Sequence, residues 1–402
     1  MKKNYKRKEK GEFRYKDYRK NVRLFQITGI DITTLALPGI ILVWFETRLE
    51  FHEILILQGL FVLTTILFEI PSGVLADSWT RKGSAELYHI LYSLGLFFYT
   101  IGTNFTTFVI AEICRGIGEA FQTGSETALI YDSILTQHKE SVDRNFGKIM
   151  SQRMTLLFIG AAICSILGGI LGEIIYIRMP IALTVIGHLF FGILTLGYIE
   201  PPKLRSITPK IVTVKAISSL RKNISLQAIM LFSIVSLVFG RIGFWAGQHM
   251  LVEDFKISTL ALGFVLAGLN TTAATASFLI RRHVDYFARF SILLCMLLAD
   301  VVYFLVLLKE SLSLIVFLVA AIITQITRGA MTPIVQSLVQ HQLSSEERAT
   351  FASLISFVGS VVFFLASMSI ELLSLSRNDS LMLSLLGTIV IIGLFSFLVL
   401  SR

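Results

Sequence analysis

Apolar residues run along this chain in long stretches, without the short alternation or one-sided periodicity of a water-soluble domain. A membrane-spanning helix needs roughly 20 mostly apolar residues. Twelve windows qualify: 24–46, 54–76, 85–103, 105–131, 147–173, 179–199, 226–251, 258–280, 289–308, 312–338, 349–373 and 380–400. Hydrocarbon offers backbone N–H and C=O groups no partner, so only helices and closed barrels cross it, and runs of this length exclude a barrel. The pattern predicts an all-α membrane protein with twelve transmembrane helices. A polar stretch over 200–225, with Pro201, Pro202, Pro209 and six basic residues, divides the windows six and six. The predicted organisation is a basic tail over 1–23, a six-helix bundle over 24–199, a linker over 200–225 and a second six-helix bundle over 226–400.

Composition agrees: 54% of residues are hydrophobic, 31 are Phe and only 16% are charged, whereas soluble domains run near a quarter charged. The basic residues are unevenly placed, and Lys and Arg concentrate in cytoplasmic loops. With the N-terminus inside, 28 of the 36 fall on the cytoplasmic side and five on the other (Arg48, Arg178, Lys256, Lys309, Arg377). Arg115, Arg241 and Arg328 lie within spans. Both termini are expected in the cytoplasm of a cell-membrane protein. The net charge of +9 is mostly this topology signal and does not imply nucleic-acid binding. Residues 1–23 carry eleven Lys or Arg and read as an orientation-setting tail that can also contact anionic lipid. Cys114, Cys164 and Cys295 all fall within spans and imply no disulfide framework. No P-loop, catalytic triad or metal-ligand spacing is present, so the chain is expected to be neither an enzyme nor an ATP-driven pump, and no cofactor is implied.

The fourth span carries the most chemistry. Glu112, Arg115, Glu119, Gln122 and Glu126 are spaced 3, 4, 3 and 4, placing all five on one helical face. Even on a lenient scale each charge at the bilayer centre costs roughly 2.5–3.5 kcal/mol, so the stripe cannot face lipid. It lines a transport pathway or forms a salt-bridge network inside the bundle. Sparser polar groups occur elsewhere: Asp31 in span 1, Arg241 and Gln248 on one face of span 7, Gln325 and Arg328 on one face of span 10, and a lone Asp300 in span 9.

Between spans 2 and 3 runs Gly73-Val-Leu-Ala-Asp77-Ser-Trp-Thr-Arg81-Lys82-Gly83. It resembles the cytoplasmic loop signature of major facilitator superfamily transporters: Gly, three residues, Asp, a basic residue, any residue, Gly, then two basic residues. Gly73, Asp77, Arg81 and Lys82 match, while Ser78 and Thr80 replace the usual basic residue and glycine. Two features recur across the halves: Asp77 and Arg81 as Asp285 and Arg289, offset by 208, and Arg115-Gly116 as Arg328-Gly329, offset by 213. The segment from Arg115 to Asp132 also resembles the family's fourth-helix signature, which assigns the arginine to proton coupling.

The resemblance implies two pseudo-symmetric six-helix halves that rock about a site lined by spans 1, 4, 7 and 10. It gathers Asp31, Glu112, Arg115, Glu119, Gln122, Glu126, Arg241, Gln248, Gln325 and Arg328 on the pathway and makes Asp300 peripheral. It further implies that Asp77 caps span 11 and that Arg81 reaches Asp132, a cytoplasmic gate completed by Gly73 and Lys82. In span 5, Gly160, Cys164-Ser165 and Gly168-Gly169 keep the glycine spacing of the drug–proton antiporter branch without its central Gly-Pro. The expected activity is proton-coupled efflux of a small molecule by a monomer in the lipid bilayer. Uptake symport, facilitated diffusion and a non-transporting sensor or scaffold are the alternatives.

Overall fold

The computed structural model describes residues 13–78, 80–137, 142–202, 218–309, 312–340, 342–343 and 345–400. Residues 1–12 of the expected tail and 203–217 of the expected linker lie outside these. The first half comprises α1 (Tyr15–Ile27), α2 (Thr33–Glu46), α3 (Phe51–Ser78), α4 (Arg81–Ile101), α5 (Phe105–Gln137), α6 (Val142–Ile174) and α7 (Met179–Thr195). The second comprises α8 (Ile224–Glu253), α9 (Thr259–Arg282), the single turn α10 (Val284–Phe287), α11 (Phe290–Leu307), α12 (Leu314–Gln340), α13 (Ser345–Leu372) and α14 (Arg377–Leu400). Each expected span has its helix, and the twelve form two pseudo-symmetric six-helix halves.

The first span departs from expectation because it is broken. α1 starts at Tyr15, inside the expected tail, and the helix stops over residues 28–32. Asp31 Oδ1 accepts the backbone N–H of Thr33 at 2.9 Å and also its hydroxyl. The carboxylate thus satisfies an N–H that a helix start leaves free. A hydropathy window averages over such a short break. The break also admits α6 closely: a Cβ added to Gly160 would sit 3.0 Å from the Asp31 backbone nitrogen.

Among the described residues, eight helices are by length and composition apolar enough to cross a membrane, and α2 and α7 are apolar but shorter. The polar exceptions are α4 and α5. They pack extensively on each other, so Tyr92 and Tyr99 of α4 meet Arg115 and Glu112 on the charged face of α5.

Ion pairs repeat the two-half design. Arg178, just before α7, meets Glu46 at the end of α2 at 2.8 Å, and its guanidinium also donates to the carbonyls of Thr100 and Gly102 at the end of α4. Arg377, at the start of α14, meets Asp254 at the end of α8 at 2.7 Å. Glycines repeat as well. A Cβ on Gly116 would lie 2.6 Å from the Phe61 carbonyl oxygen, and one on Gly329 would lie 2.0 Å from that of Ala273. Each glycine lets the fourth helix of its half press on the backbone of the second.

The halves meet mainly through α3 with α13 and α6 with α9. Their contacts gather at the end opposite the basic loops. There Trp44 and Trp245 pack edge to face with centroids 5.2 Å apart, and Phe45 and Phe51 flank His249 at 5.1 and 5.6 Å. A Cβ on Gly169 would lie 2.9 Å from the Thr259 carbonyl oxygen and 3.0 Å from the Gly263 Cα. Toward the basic end the halves part. Every α3 residue from Leu67 to Leu75 is exposed except Ser72, whereas residues 54–59 of the same helix are buried. Ser72 alone is buried, donating to the Ala120 carbonyl of α5 at 2.8 Å, and among the described residues no helix of the second half covers the exposed faces of that stretch.

Candidate transport site

The charged stripe on α5 separates into two hydrogen-bonded carboxylate nodes and, between them, a carboxylate that no described residue partners. At the first node the Glu112 carboxylate is fully buried. It accepts from Arg115 at 2.8 and 2.9 Å, Tyr99 at 2.5 Å and Gln58 at 3.0 Å. Arg115 also donates to the Tyr92 hydroxyl at 3.0 Å and lies over the rings of Phe61 and Tyr92, each 5.1 Å from the centroid. Only Arg115 Nε is left buried without a partner; the saturated Glu112 carboxylate is what a buried ion pair needs to offset the loss of water. At the second node the Glu126 carboxylate accepts from Arg153 at 2.7 Å and from Thr28 and Tyr198, each at 3.1 Å. Arg153 continues to the Phe25 carbonyl at 2.7 Å and stacks on the Phe25 ring at 3.8 Å. Glu119 is half-buried and forms no hydrogen bond or ion pair with any described residue, and Gln122 is likewise without a partner.

The second half is arranged differently. A cavity of about 530 Å³ opens among α3, α8, α9, α11, α12 and α13. Arg241, Gln248, Asp300, Gln325 and Arg328 all line it, with Trp245, Phe304, Phe317 and Phe363 among its apolar walls. Gln58 and Phe61, which hold the Glu112–Arg115 node from α3, form its wall toward the first half. Arg241 lies over the Phe363 ring at 5.3 Å, and its Nη1 is buried without a hydrogen-bond partner. Gln248 and Gln325 are 3% and 7% exposed, and the Oε1 of each has no partner. Among the described residues Arg328 reaches only Asn270 Oδ1, at 3.1 Å. Asp300 forms no hydrogen bond or ion pair with any described residue. The expectation that Asp300 is peripheral gives way: α11 turns it into the same cavity as the two arginines.

The repeat sharpens the contrast. At the offset of 213 that relates Arg115 to Arg328, Glu112 corresponds to Gln325, Glu119 to Thr332 and Glu126 to Val339. The second half keeps the arginine and drops all three carboxylates.

The profile described as Major Facilitator Superfamily matches residues 24–367. The chain belongs to this superfamily. An uncharacterized MFS-type transporter of Methanocaldococcus jannaschii is 27% identical over 234 residues, spanning 55% of this chain and 56% of that protein. The chain thus matches little more than half the length of this curated relative. A crystal structure of an aspartate-to-alanine mutant of the nucleoside transporter NupG superposes with a TM-score of 0.74 at 12% identity, covering 95% of this chain and 98% of that one. A bacterial homolog of the human lysosomal transporter Spinster, solved inward-facing and unoccupied, gives 0.70 at 16% identity and covers 96% of each chain. At these identities the likeness is one of fold.

The superfamily's loop signature is partly visible. Gly73 lies on the exposed end of α3, and a Cβ there would meet nothing within 4 Å. The side chains of Asp77 and Asp285 lie outside the described residues. Arg81 pairs with Asp132 and also donates to the Ala128 carbonyl at 2.8 Å. Lys82 donates its backbone N–H to Glu200 at 2.7 Å and its ammonium to the Leu196 carbonyl. Thr80 caps α4 by accepting from the Gly83 N–H at 2.8 Å. All these partners belong to the first half, so the contacts brace the start of α4 against α5 and the end of α7 and do not join the halves.

Sequence spacing does not reveal several of these partners. Arg153 stands near the basic end of its span, where it reads as one more topology charge. Gln58, Tyr92 and Tyr99 are single polar residues in apolar windows. His89 and His188 bring their Nδ1 atoms to 3.2 Å in the core of the first half, stacked among Tyr88, Tyr92 and Phe191. Their positions, one on α4 and one on α7, carry no shared periodicity. Among the described residues no group of three or more His, Cys, Asp or Glu gathers to hold a metal, and the three cysteines are free.

Proposed function

We propose that this superfamily member is a monomeric, proton-coupled exporter that carries a small molecule across the cell membrane by alternating access. The observation that carries the coupling is Glu119: an intramembrane carboxylate left without a partner between two saturated nodes. An ionisable group held within a span and free of structural partners marks an ion pathway. Arg115, one turn away and fixed by Glu112 and Tyr92, supplies a stationary positive charge beside it. Glu126, committed to Arg153, Thr28 and Tyr198, is assigned to bracing and not to proton carriage.

The positive-inside rule supports placing both termini and the basic end in the cytoplasm. The parted ends of α3 and α13 then correspond to a cavity open to the cytoplasm and closed outside. Loading from the cytoplasm, closure of the basic end and parting of the Trp44–Trp245 contact complete the export stroke. In the closed-inside state Asp77 meets the start of α13, while Arg81, Lys82 and Asp132 keep the α3–α4 turn rigid enough to act as a gate.

Everted vesicles containing the protein, acidified inside and loaded with a pH-sensitive dye, test this with a panel of anionic, cationic, zwitterionic and sugar-like compounds. Substrate-triggered proton release is expected from the wild type and absent from Glu119→Gln, whose abundance and elution profile stay unchanged. Wild-type proton release from Glu119→Gln overturns the coupling assignment.

A further inference from the structure

We propose that the second-half cavity binds a monovalent amphiphilic organic anion, its charged group held between Arg241 and Arg328 and its apolar body against Trp245, Phe304 and Phe317. The proposal rests on the transporter reading above and names the substrate class of that site. Its first support is charge. The described charged groups lining the cavity are two guanidiniums and one carboxylate, leaving one positive charge in excess inside a membrane protein, where uncompensated charge is costly. Neither guanidinium has a carboxylate partner: Arg241 rests on a ring and Arg328 on an amide. One negative charge brought by a ligand restores neutrality.

The second support is unmet hydrogen bonding. Arg241 Nη1 is a buried donor without an acceptor, and the amide oxygens of Gln248 and Gln325 are buried acceptors without donors. Such atoms also occur outside the cavity, Arg115 Nε and Trp44 Nε1 among them, but these three residues line one open cavity, where water or a ligand can meet them. A carboxylate, sulfonate or phosphate monoester suits the guanidiniums, which bind such groups in paired hydrogen bonds. A hydroxyl or N–H near that group suits the glutamines.

The third support is the repeat. In the first half Arg115 is neutralised by Glu112, one turn earlier on α5. In the second, Gln325 stands at the matching position before Arg328. The amide keeps the size of the side chain and removes its charge, leaving the arginine's anion to be supplied from outside. Asp300 competes with the ligand for the same field, holding the excess at a single charge and selecting monoanions over dianions.

Binding to the full-length protein in lipid nanodiscs, with no proton gradient, reads the substrate class separately from coupling. The probe is naphthalene-2-sulfonate, a permanently charged monoanion, compared with a trimethylammonium analogue and neutral 2-naphthol. Saturable binding of the sulfonate is expected to be at least tenfold tighter than that of either analogue. Arg328→Gln and Arg241→Ala should weaken it at least tenfold, and Asp300→Asn should strengthen it severalfold and admit a naphthyl disulfonate. Arg328 is exposed to the cavity, so its variant reports even where Arg241→Ala fails to fold. Equal or tighter binding of the cation, or sulfonate affinity unchanged in Arg328→Gln, overturns the proposal. Sulfonate binding without any proton movement in vesicles upholds the substrate class and removes the coupling. Proton release triggered only by cations does the reverse.

Discussion

The two halves of this transporter place an arginine at the same point on their fourth helix and surround it in opposite ways. Around Arg115 every polar atom of the neighbouring carboxylate is used: Tyr99, Gln58 and the guanidinium converge on Glu112, and Tyr92 takes the other side. Around Arg328 the same helix face presents Gln325, Thr332 and a cavity. The helix contacts are alike, since Gly116 and Gly329 admit the same close approach to the second helix of each half. The difference lies in one set of side chains, and it separates a self-contained structural pair from a charge that is still unmatched. On the proposal above, a duplicated scaffold holds its core together in one copy and receives a ligand in the other, with the arginine retained in both.

The sharpest way to break this comparison is Glu112→Ala. It strands Arg115 in the first-half core, and removing one partner of a buried pair costs about 3–5 kcal/mol. Purified protein should melt at a much lower temperature or fail to accumulate, and wild-type melting would mean that the node is not structural. Arg153→Ala should act in the same direction by stranding Glu126, with the lost Phe25 stacking in addition.

The next effect bears on the contact between the halves. Gly169→Val places side-chain atoms against the Thr259 carbonyl, and overpacking of this kind costs about 1–3 kcal/mol. The end opposite the basic loops should open more readily. A cysteine at position 259, in a chain freed of its own three cysteines, should then react faster with an impermeant maleimide. Unchanged labelling would show that the contact does not limit opening.

Gln325→Glu converts the second half toward the first. It gives Arg328 a partner at i,i+3, but position 325 is buried and desolvation of the new carboxylate offsets the attraction, so the melting temperature should change little while binding of naphthalene-2-sulfonate falls at least tenfold. Smallest of all is Arg328→Gln read as stability: an exposed cation with no carboxylate partner and a single bond to Asn270 is removed, and the shift should stay within about 0.5 kcal/mol. A large loss there would reveal a structural role for Arg328 and erase the distinction between the halves.

What could be read from sequence follows the same physics. Twelve spans, two halves and the α5 stripe are written as long apolar runs and a 3–4 spacing, signals carried by residues near each other in the chain. The partners that decide what the stripe does come from afar: Arg153 for Glu126, and Tyr99 and Gln58 for Glu112. Nothing in the local pattern separates the committed Glu126 from the free Glu119. Asp300 was visible as a lone carboxylate, but the rotation of α11 that turns it toward Arg241 and Arg328 depends on packing against α8, α12 and α14. The break at residues 28–32 is hidden for another reason: it is only five residues long, and the apolar stretch that follows it carries the window average across.

The meeting of Gly169 and Gly263 has a mechanical consequence. With no side chain at the point where α6 and α9 touch, the two helices bear on each other backbone to backbone, as a fulcrum does. From Gly263 to Arg282 the α9 arm is about 28 Å long at 1.5 Å per residue, so a tilt of about 10° swings its far end by about 5 Å. If the halves rock as proposed, a rotation small enough to leave the packing near the fulcrum intact is enough to open a passage at the other end.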